Sequence, residues 1–224
     1  MKRVVAIDGP SGAGKSTVAK RIAQELGFDY LDTGALYRAV ALNLVKRGLN
    51  ESASDEEISS ALEETRVEFA RSAVFLNDRD VSEEIRSPEA GHYASVFSAR
   101  NPVRRYLLEI QRNAAMHSDL VAEGRDMTTV VFPDAYKKFY LDASVEERAR
   151  RRTRELISMG FEADENQIRS DIIERDTRDS NRHIAPLRKT DDAFFIDSSR
   201  LSIEEVFRVI MKAVEDKGGV RNDA

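Results

Sequence analysis

Ile7-Asp8-Gly9-Pro10-Ser11-Gly12-Ala13-Gly14-Lys15-Ser16-Thr17 is the stretch on which the fold turns. From Gly9 to Ser16 it satisfies G-x-x-x-x-G-K-[ST], a phosphate-binding loop. The flanks agree. Lys2 to Asp8 is a short apolar run rich in β-branched residues, which reads as a buried strand. After the loop, Val18, Ala19, Ile22, Ala23 and Leu26 recur at helical spacing, and Gly27 suits the position just past a helix end. A glycine-rich turn between strand and helix aims successive N–H groups inward at the positive end of the helix, where phosphate binds. Lys15 then reaches the β- and γ-phosphates, and the Ser16 hydroxyl suits Mg²⁺. Two neighbouring motifs fail. A dinucleotide fingerprint does not continue as Gly14-Lys15-Ser16-Thr17, and a nucleophile elbow does not end on Ala13.

Working outward, Phe28 to Leu31 reads as a second short strand, and Asp32 or Thr33 as the cap of a helix carrying Leu36, Val40, Leu44 and Val45, closed by Gly48. This strand–loop–helix–strand–helix opening predicts a parallel sheet with helices on both faces. Glu51 to Glu68 holds seven acidic residues and one basic around a helix containing Ile58 and Leu62. Val67-Glu68-Phe69-Ala70 and Val74-Phe75-Leu76 suggest a small antiparallel hairpin turning at Arg71-Ser72-Ala73. A helix over about 102–116 precedes candidate strands Leu120-Val121-Ala122 and Lys138-Phe139-Tyr140-Leu141. Two charged helical stretches follow, about 145–159 and 164–179, parted by Gly160. Ala193 to Ile196 reads as the last strand, Ile203 to Val214 as a closing amphipathic helix, and the tail from Lys217 as frayed.

Composition narrows the function. In 224 residues, 41% hydrophobic and 33% charged, there is enough for one α/β domain with appendages. A net charge of −5 argues against a nonspecific nucleic-acid binder. No apolar run approaches the ~20 residues of a membrane helix, and the apolar stretch within Met1 to Asp8 is shorter than a signal peptide is expected to need. The absence of cysteine excludes disulfides, thiol nucleophiles and Cys-ligated zinc. The chain is expected in the cytoplasm.

A phosphate loop needs an acid at the end of a neighbouring strand to hold the metal. Glu123 after Leu120-Val121-Ala122 is the candidate, with Asp142 after Phe139-Tyr140-Leu141 as competitor. Arginine gathers in the second half. Arg148, Arg150, Arg151, Arg152 and Arg154 fall within seven residues, followed by Arg175, Arg178 and Arg182 at spacings that share a helical face. Most of these are expected to pair at the surface with Glu146, Glu147, Glu155 or Asp179. Beside a phosphate loop, the set also suits a mobile lid whose guanidinium forks stabilise a phosphoryl group in flight and exclude water. His92, His117 and His183 lack metal-ligand spacing.

With these elements placed, the chain resembles the bacterial cytidylate kinases, a family of P-loop nucleoside monophosphate kinases. The matching segments run nearly end to end: the loop itself, Leu31-Asp32-Thr33-Gly34-Ala35-Leu36-Tyr37-Arg38, Glu123-Gly124-Arg125-Asp126-Met127, Val130-Val131-Phe132-Pro133, Glu174-Arg175-Asp176, Arg178-Asp179-Ser180-Asn181-Arg182 and Ile196-Asp197-Ser198-Ser199. The resemblance implies a three-layer α/β/α P-loop core with a parallel sheet, an inserted substrate-binding lobe with a small antiparallel sheet, and a helical lid. The core would comprise 1–33, 111–147 and 183–224, the lobe about 34–110 and the lid about 148–182.

The resemblance further implies transfer of the γ-phosphoryl group of ATP to CMP or dCMP, by a monomer with small-molecule substrates and neither nucleic acid nor membrane as partner. Gly9, Pro10, Ser11, Gly12, Ala13, Gly14, Lys15, Ser16 and Thr17 would bind ATP, with Mg²⁺ at Ser16 and Glu123. Arg38, Arg125 and Arg182 would hold the acceptor phosphate, and Lys15, Arg125 and Arg182 would act in catalysis. Thr33, Ser95, Arg104 and Asp126 would contact the cytosine, and Tyr37, Arg175 and Asp179 the sugar. Two other readings stand beside this one: a related kinase for another base such as uracil, and a P-loop ATPase switch.

Overall fold

The computed structural model describes residues 2–70 and 73–216. The expected turn at Arg71-Ser72 and the expected frayed tail from Lys217 lie outside the described residues. Five parallel strands form the main sheet: β1 (Val4–Asp8), β2 (Asp29–Asp32), β6 (Leu120–Gly124), β7 (Lys137–Asp142) and β8 (Phe194–Asp197), in the order β2-β6-β1-β7-β8. The first strand is therefore central. Its side chains alternate between two cores, because both faces of the sheet are covered. Val4 and Ala6 join one core with α2 (Thr33–Lys46), α3 (Asp55–Glu63) and α5 (Asn101–Ala114). Val5 and Ile7 join the other, against α1 (Lys15–Leu26) and α8 (Ile203–Glu215) through Val18, Ile22, Val206 and Ile210.

The small antiparallel sheet is present, with one strand more than the hairpin expected from sequence. Beside β3 (Val67–Ala70) and β4 (Ala73–Leu76) lies β5 (Arg79–Asp80). Asn77 and Asp78 make the intervening turn with positive φ, which these two residue types tolerate. A further helix, α4 (Pro88–Phe97), was not expected, since its apolar spacing is weak. Its start is nonetheless encoded: Ser87 caps the N–H of Ala90 and Pro88 opens the first turn. The two charged stretches form α6 (Val145–Ser158) and α7 (Glu165–Asn181), a helical hairpin with its own small core of Ala149, Leu156, Ile168 and Ile172.

Two glycines fix how closely the site is built. Gly9 has φ +147°, and a Cβ there would lie 1.9 Å from the Leu141 carbonyl oxygen. A Cβ on Gly124 would lie 2.8 Å from both the Met127 Cε and the Thr33 Oγ1. Only glycine lets β1, β6 and β7 converge at their carboxyl ends.

Candidate functional site

The site opens at those carboxyl ends, where open parallel sheets place their ligands. The loop from Gly9 to Gly14 wraps between β1 and α1, and Lys15 is buried with its Nζ donating to the Pro10 carbonyl at 2.7 Å. Burial first, and then the nearby Arg125, push the Lys15 pKa down, with Glu123 and Asp8 opposing. On β6, Glu123 is also buried and accepts the Ser16 hydroxyl at 2.6 Å and the Tyr30 hydroxyl at 3.3 Å. Burial and then Asp32 push its carboxyl up, opposed by Lys15 and the Ser16 bond. A hydroxyl and a carboxylate on one corner fit Mg²⁺, a hard ion that takes few protein ligands and completes its shell with phosphate and water. Asp142, the competing acid, turns instead to the backbone N–H of Ala143 at 2.8 Å.

Across from this corner lies a cluster of arginines around a single acid. Asp179, buried on α7, accepts from Arg125 Nε at 3.1 Å and lies 3.9 Å from Arg175 Nε and 3.8 Å from Arg182 Nη1. Burial acts to raise its pKa, but Arg125, Arg175 and Arg182 outweigh it and hold the carboxyl below its ordinary range. The arginines feel the crowding. Burial, then Arg125, bring Arg175 down to about 10, with Arg38 adding to the depression. Arg175 Nε and Arg182 Nη2 are both buried without a hydrogen-bond partner. One carboxylate among three guanidiniums leaves two positive charges uncompensated, the complement of a phosphate monoester near neutral pH.

Beside the cluster is a buried ion pair between Arg104 on α5 and Asp126 after β6. Arg104 also donates to the Ser98 carbonyl at 3.1 Å and lies over the ring of Tyr37, 5.7 Å from its centroid. Thr33 donates its hydroxyl to the Glu123 carbonyl at 2.7 Å, which ties the start of α2 to the end of β6. Arg38 faces Asp32 at 3.4 Å. Ser95 on α4 accepts from Arg178 Nη1 at 2.6 Å.

The sequence cluster of five arginines divides. Arg148 donates to the Ser11 carbonyl at 3.2 Å and pairs with Asp176 at 2.7 Å. Arg151 donates to the Ala13 carbonyl at 3.2 Å and the Ser198 carbonyl at 2.6 Å. Arg150 and Arg152 pair with Glu147 and Glu155 on their own helix, and Arg154 is exposed. His92, His117 and His183 are exposed.

A family model described as cytidylate kinase matches residues 5–216. The chain belongs to the cytidylate kinase family. The cytidylate kinase of Thermodesulfovibrio yellowstonii is 51% identical over 220 residues, covering 96% of this chain and 99% of its own. That of Thermosipho melanesiensis is 50% identical over 213 residues, covering 95% and 97%. A crystal structure of an uncharacterized protein from Eubacterium ventriosum superposes with a TM-score of 0.54 at 14% identity, over 96% of this chain and 100% of that one. That last likeness is one of fold.

For this member of the cytidylate kinase family, sequence reasoning left two buried residues, Asp8 and Gln111, without a role and gave Arg178 only a collective one. Asp8 is fully buried and accepts from the N–H groups of Met127 and Thr128 and from the Thr128 hydroxyl. An acid ending an otherwise apolar strand was the available signal. Gln111 is buried with its side-chain amide against the Tyr37 hydroxyl. Its signal was a polar residue on the face of α5 that also buries Val103, Arg104 and Leu107. Arg178 stood out in the sequence only as one of several lid arginines, and nothing local marks its reach to Ser95.

Proposed function

We propose that the chain transfers the γ-phosphoryl group of ATP to CMP or dCMP, giving ADP and CDP or dCDP, through the residues gathered here. The observation that carries this reading is the divided role of two consecutive residues. Arg125 joins the arginine cluster around Asp179, while Asp126 joins the buried pair with Arg104. A nucleoside monophosphate has the same division, an anionic phosphate at one end and a base at the other.

On the donor side, the loop from Gly9 to Thr17 holds the triphosphate, and Lys15 meets its growing charge. Ser16 and Glu123 would hold Mg²⁺, which would supply positive charge against the triphosphate. On the acceptor side, Arg38, Arg125 and Arg182 hold the CMP phosphate, whose oxygen attacks the γ-phosphorus in line. No general base is required, because the attacking monoester is already largely dianionic. Arg175 and Asp179 meet the sugar, and Tyr37, Thr33 and Ser95 line the nucleoside. The hairpin of residues 148–182 acts as a lid over a core of 1–33, 111–147 and 183–224 and a lobe of 34–110. Its own small core, separate from the two that flank the sheet, supports motion as a unit.

The base is read by complementarity. Asp126 accepts, which suits the 4-amino group of cytosine, and Arg104 donates, which suits its N3. Uracil reverses both groups. Mismatch leaves desolvated groups unpaired, and sites built this way discriminate by ~10⁴ or more. The reading places a monomer in the cytoplasm, where these nucleotides are found, without nucleic acid or membrane as partner. The net charge of −5 supports the part of this reading that excludes nonspecific nucleic-acid binding. Among the described residues no helix is long and apolar enough to cross a membrane.

The test is phosphoryl transfer to CMP, dCMP, UMP and AMP by the wild type and by Asp126→Asn. Strong preference for the cytidine substrates is expected, narrowed in Asp126→Asn because an amide can turn to donate to the uracil carbonyl. A wild-type CMP/UMP ratio near unity would sink the base assignment, and ATP hydrolysis with no acceptor dependence would favour a switch.

A further inference from the structure

An aspartate that opens a helical turn ordinarily bends its own carboxylate back to accept from the first N–H groups of that turn. Asp126 stands just before the π-helical turn Met127–Val131, and its side chain makes no such bond. It is engaged with Arg104 instead. The capping is done from another strand. Asp8, at the end of β1, accepts from the Met127 N–H at 2.9 Å, the Thr128 N–H at 2.7 Å and the Thr128 hydroxyl at 2.7 Å.

Asp8 is an expensive residue to place there. It has no exposed surface, and burial pushes its carboxyl up to about 6, against the lowering effect of the three donors. The four residues before it, Val4-Val5-Ala6-Ile7, fill the core without polar groups. Packing alone gives no reason for an acid at the fifth position. Hydrogen-bond geometry does. The two N–H groups that begin the turn would otherwise be orphaned in the interior, or would draw back the nearest carboxylate, that of Asp126.

We infer that Asp8 is a positioning residue for recognition of the acceptor base: by capping the turn after Asp126 from outside, it frees the Asp126 carboxylate to face Arg104 and the base. The inference rests on the reading of Asp126 as a base contact. Asp8 touches no substrate in this scheme and acts through Asp126.

Asp8→Asn keeps the volume but sets an amide N–H₂ against the donors of the turn. Steady-state kinetics with CMP, UMP and ATP should show kcat/KM for CMP falling about tenfold, the size expected for one charge-assisted hydrogen bond. The CMP/UMP ratio should fall by a similar factor, with KM for ATP within about twofold of wild type. Thr128→Val removes only the hydroxyl donor and should move the CMP/UMP ratio the same way by about threefold. In Asp8→Asn combined with Asp126→Asn, the ratio should fall no further than in Asp126→Asn alone, as for residues acting on one contact. A ratio unchanged in Asp8→Asn overturns the inference, as does an equal rise of both KM values. If Asp8→Asn fails to fold, an unchanged ratio in Thr128→Val overturns it. Discrimination lost in Asp126→Asn but kept in Asp8→Asn refutes this inference alone. Full discrimination in Asp126→Asn removes the base assignment and this inference with it.

Discussion

Around Lys15 the groups proposed to hold the donor come from nine consecutive residues, Gly9 to Thr17. Around Asp179 they are side chains drawn from α2, the turn after β6 and both sides of the end of α7. The donor corner is held by chain geometry: Gly9 against Leu141, the helix start at Lys15, a lysine resting on the Pro10 carbonyl. The acceptor cluster is held by charge, with three cations drawn together by one carboxylate and two of their nitrogens left without partners. A backbone cradle exists with or without its ligand. A cluster of like charges awaits an anion to complete it.

The largest test of this contrast is Lys15→Met. In the proposed role the lysine meets charge that spreads in the transition state, so kcat should fall by ~10²–10³. Because burial disfavours its charged form, the ligand-free protein should melt no lower than wild type. A Lys15→Met enzyme within about threefold of wild type would remove the loop from the chemistry.

Arg182→Ala should lower kcat/KM for CMP by about 10- to 100-fold, as for hydrogen bonds to a charged group, with KM for ATP little changed. Equal effects on both substrates would show that the donor and acceptor halves are not separable. The smallest expected effect lies just beyond. Ala185 sits at φ +49° and offers its carbonyl to Arg182 Nε at 2.6 Å. Left-handed backbone costs a non-glycine residue about 1 kcal/mol, so Ala185→Gly should raise the Tm by about 1–3 °C. An unchanged or lower Tm would mean that the turn is not strained.

The loop and the strands beside it could be located from the chain alone, because each depends on neighbours within a few residues; the acid on β6 stood as one of two candidates until the strand order set Glu123 beside Ser16. The strand β5 and the Asp8 cap could not, and helix α4 showed locally only its start at Ser87-Pro88. Arg79 and Asp80 carry no strand propensity and pair only because β4 is there. The hydrogen bonds of Asp8 span more than a hundred residues of sequence, and no local pattern announces them. The arginine stretch at 148–154 shows the limit from the other side. Five similar residues share one helix, yet only Arg148 and Arg151 reach the phosphate loop, since a helix presents few of its residues to any one neighbour.

The sequence by itself determined the parallel α/β architecture, the phosphate loop with its lysine and hydroxyl, and the segments that place the chain among the cytidylate kinases. These rest on periodicity, glycine conformation and short-range spacing, which are properties of the chain. Only the tertiary structure decided the strand order that sets Glu123 against Ser16, the gathering of Arg125, Arg175 and Arg182 on Asp179, and the capping by Asp8 of the turn after Asp126. Those depend on which buried charges and hydrogen-bond donors meet once the sheet has closed, and burial multiplies the energy of each such meeting.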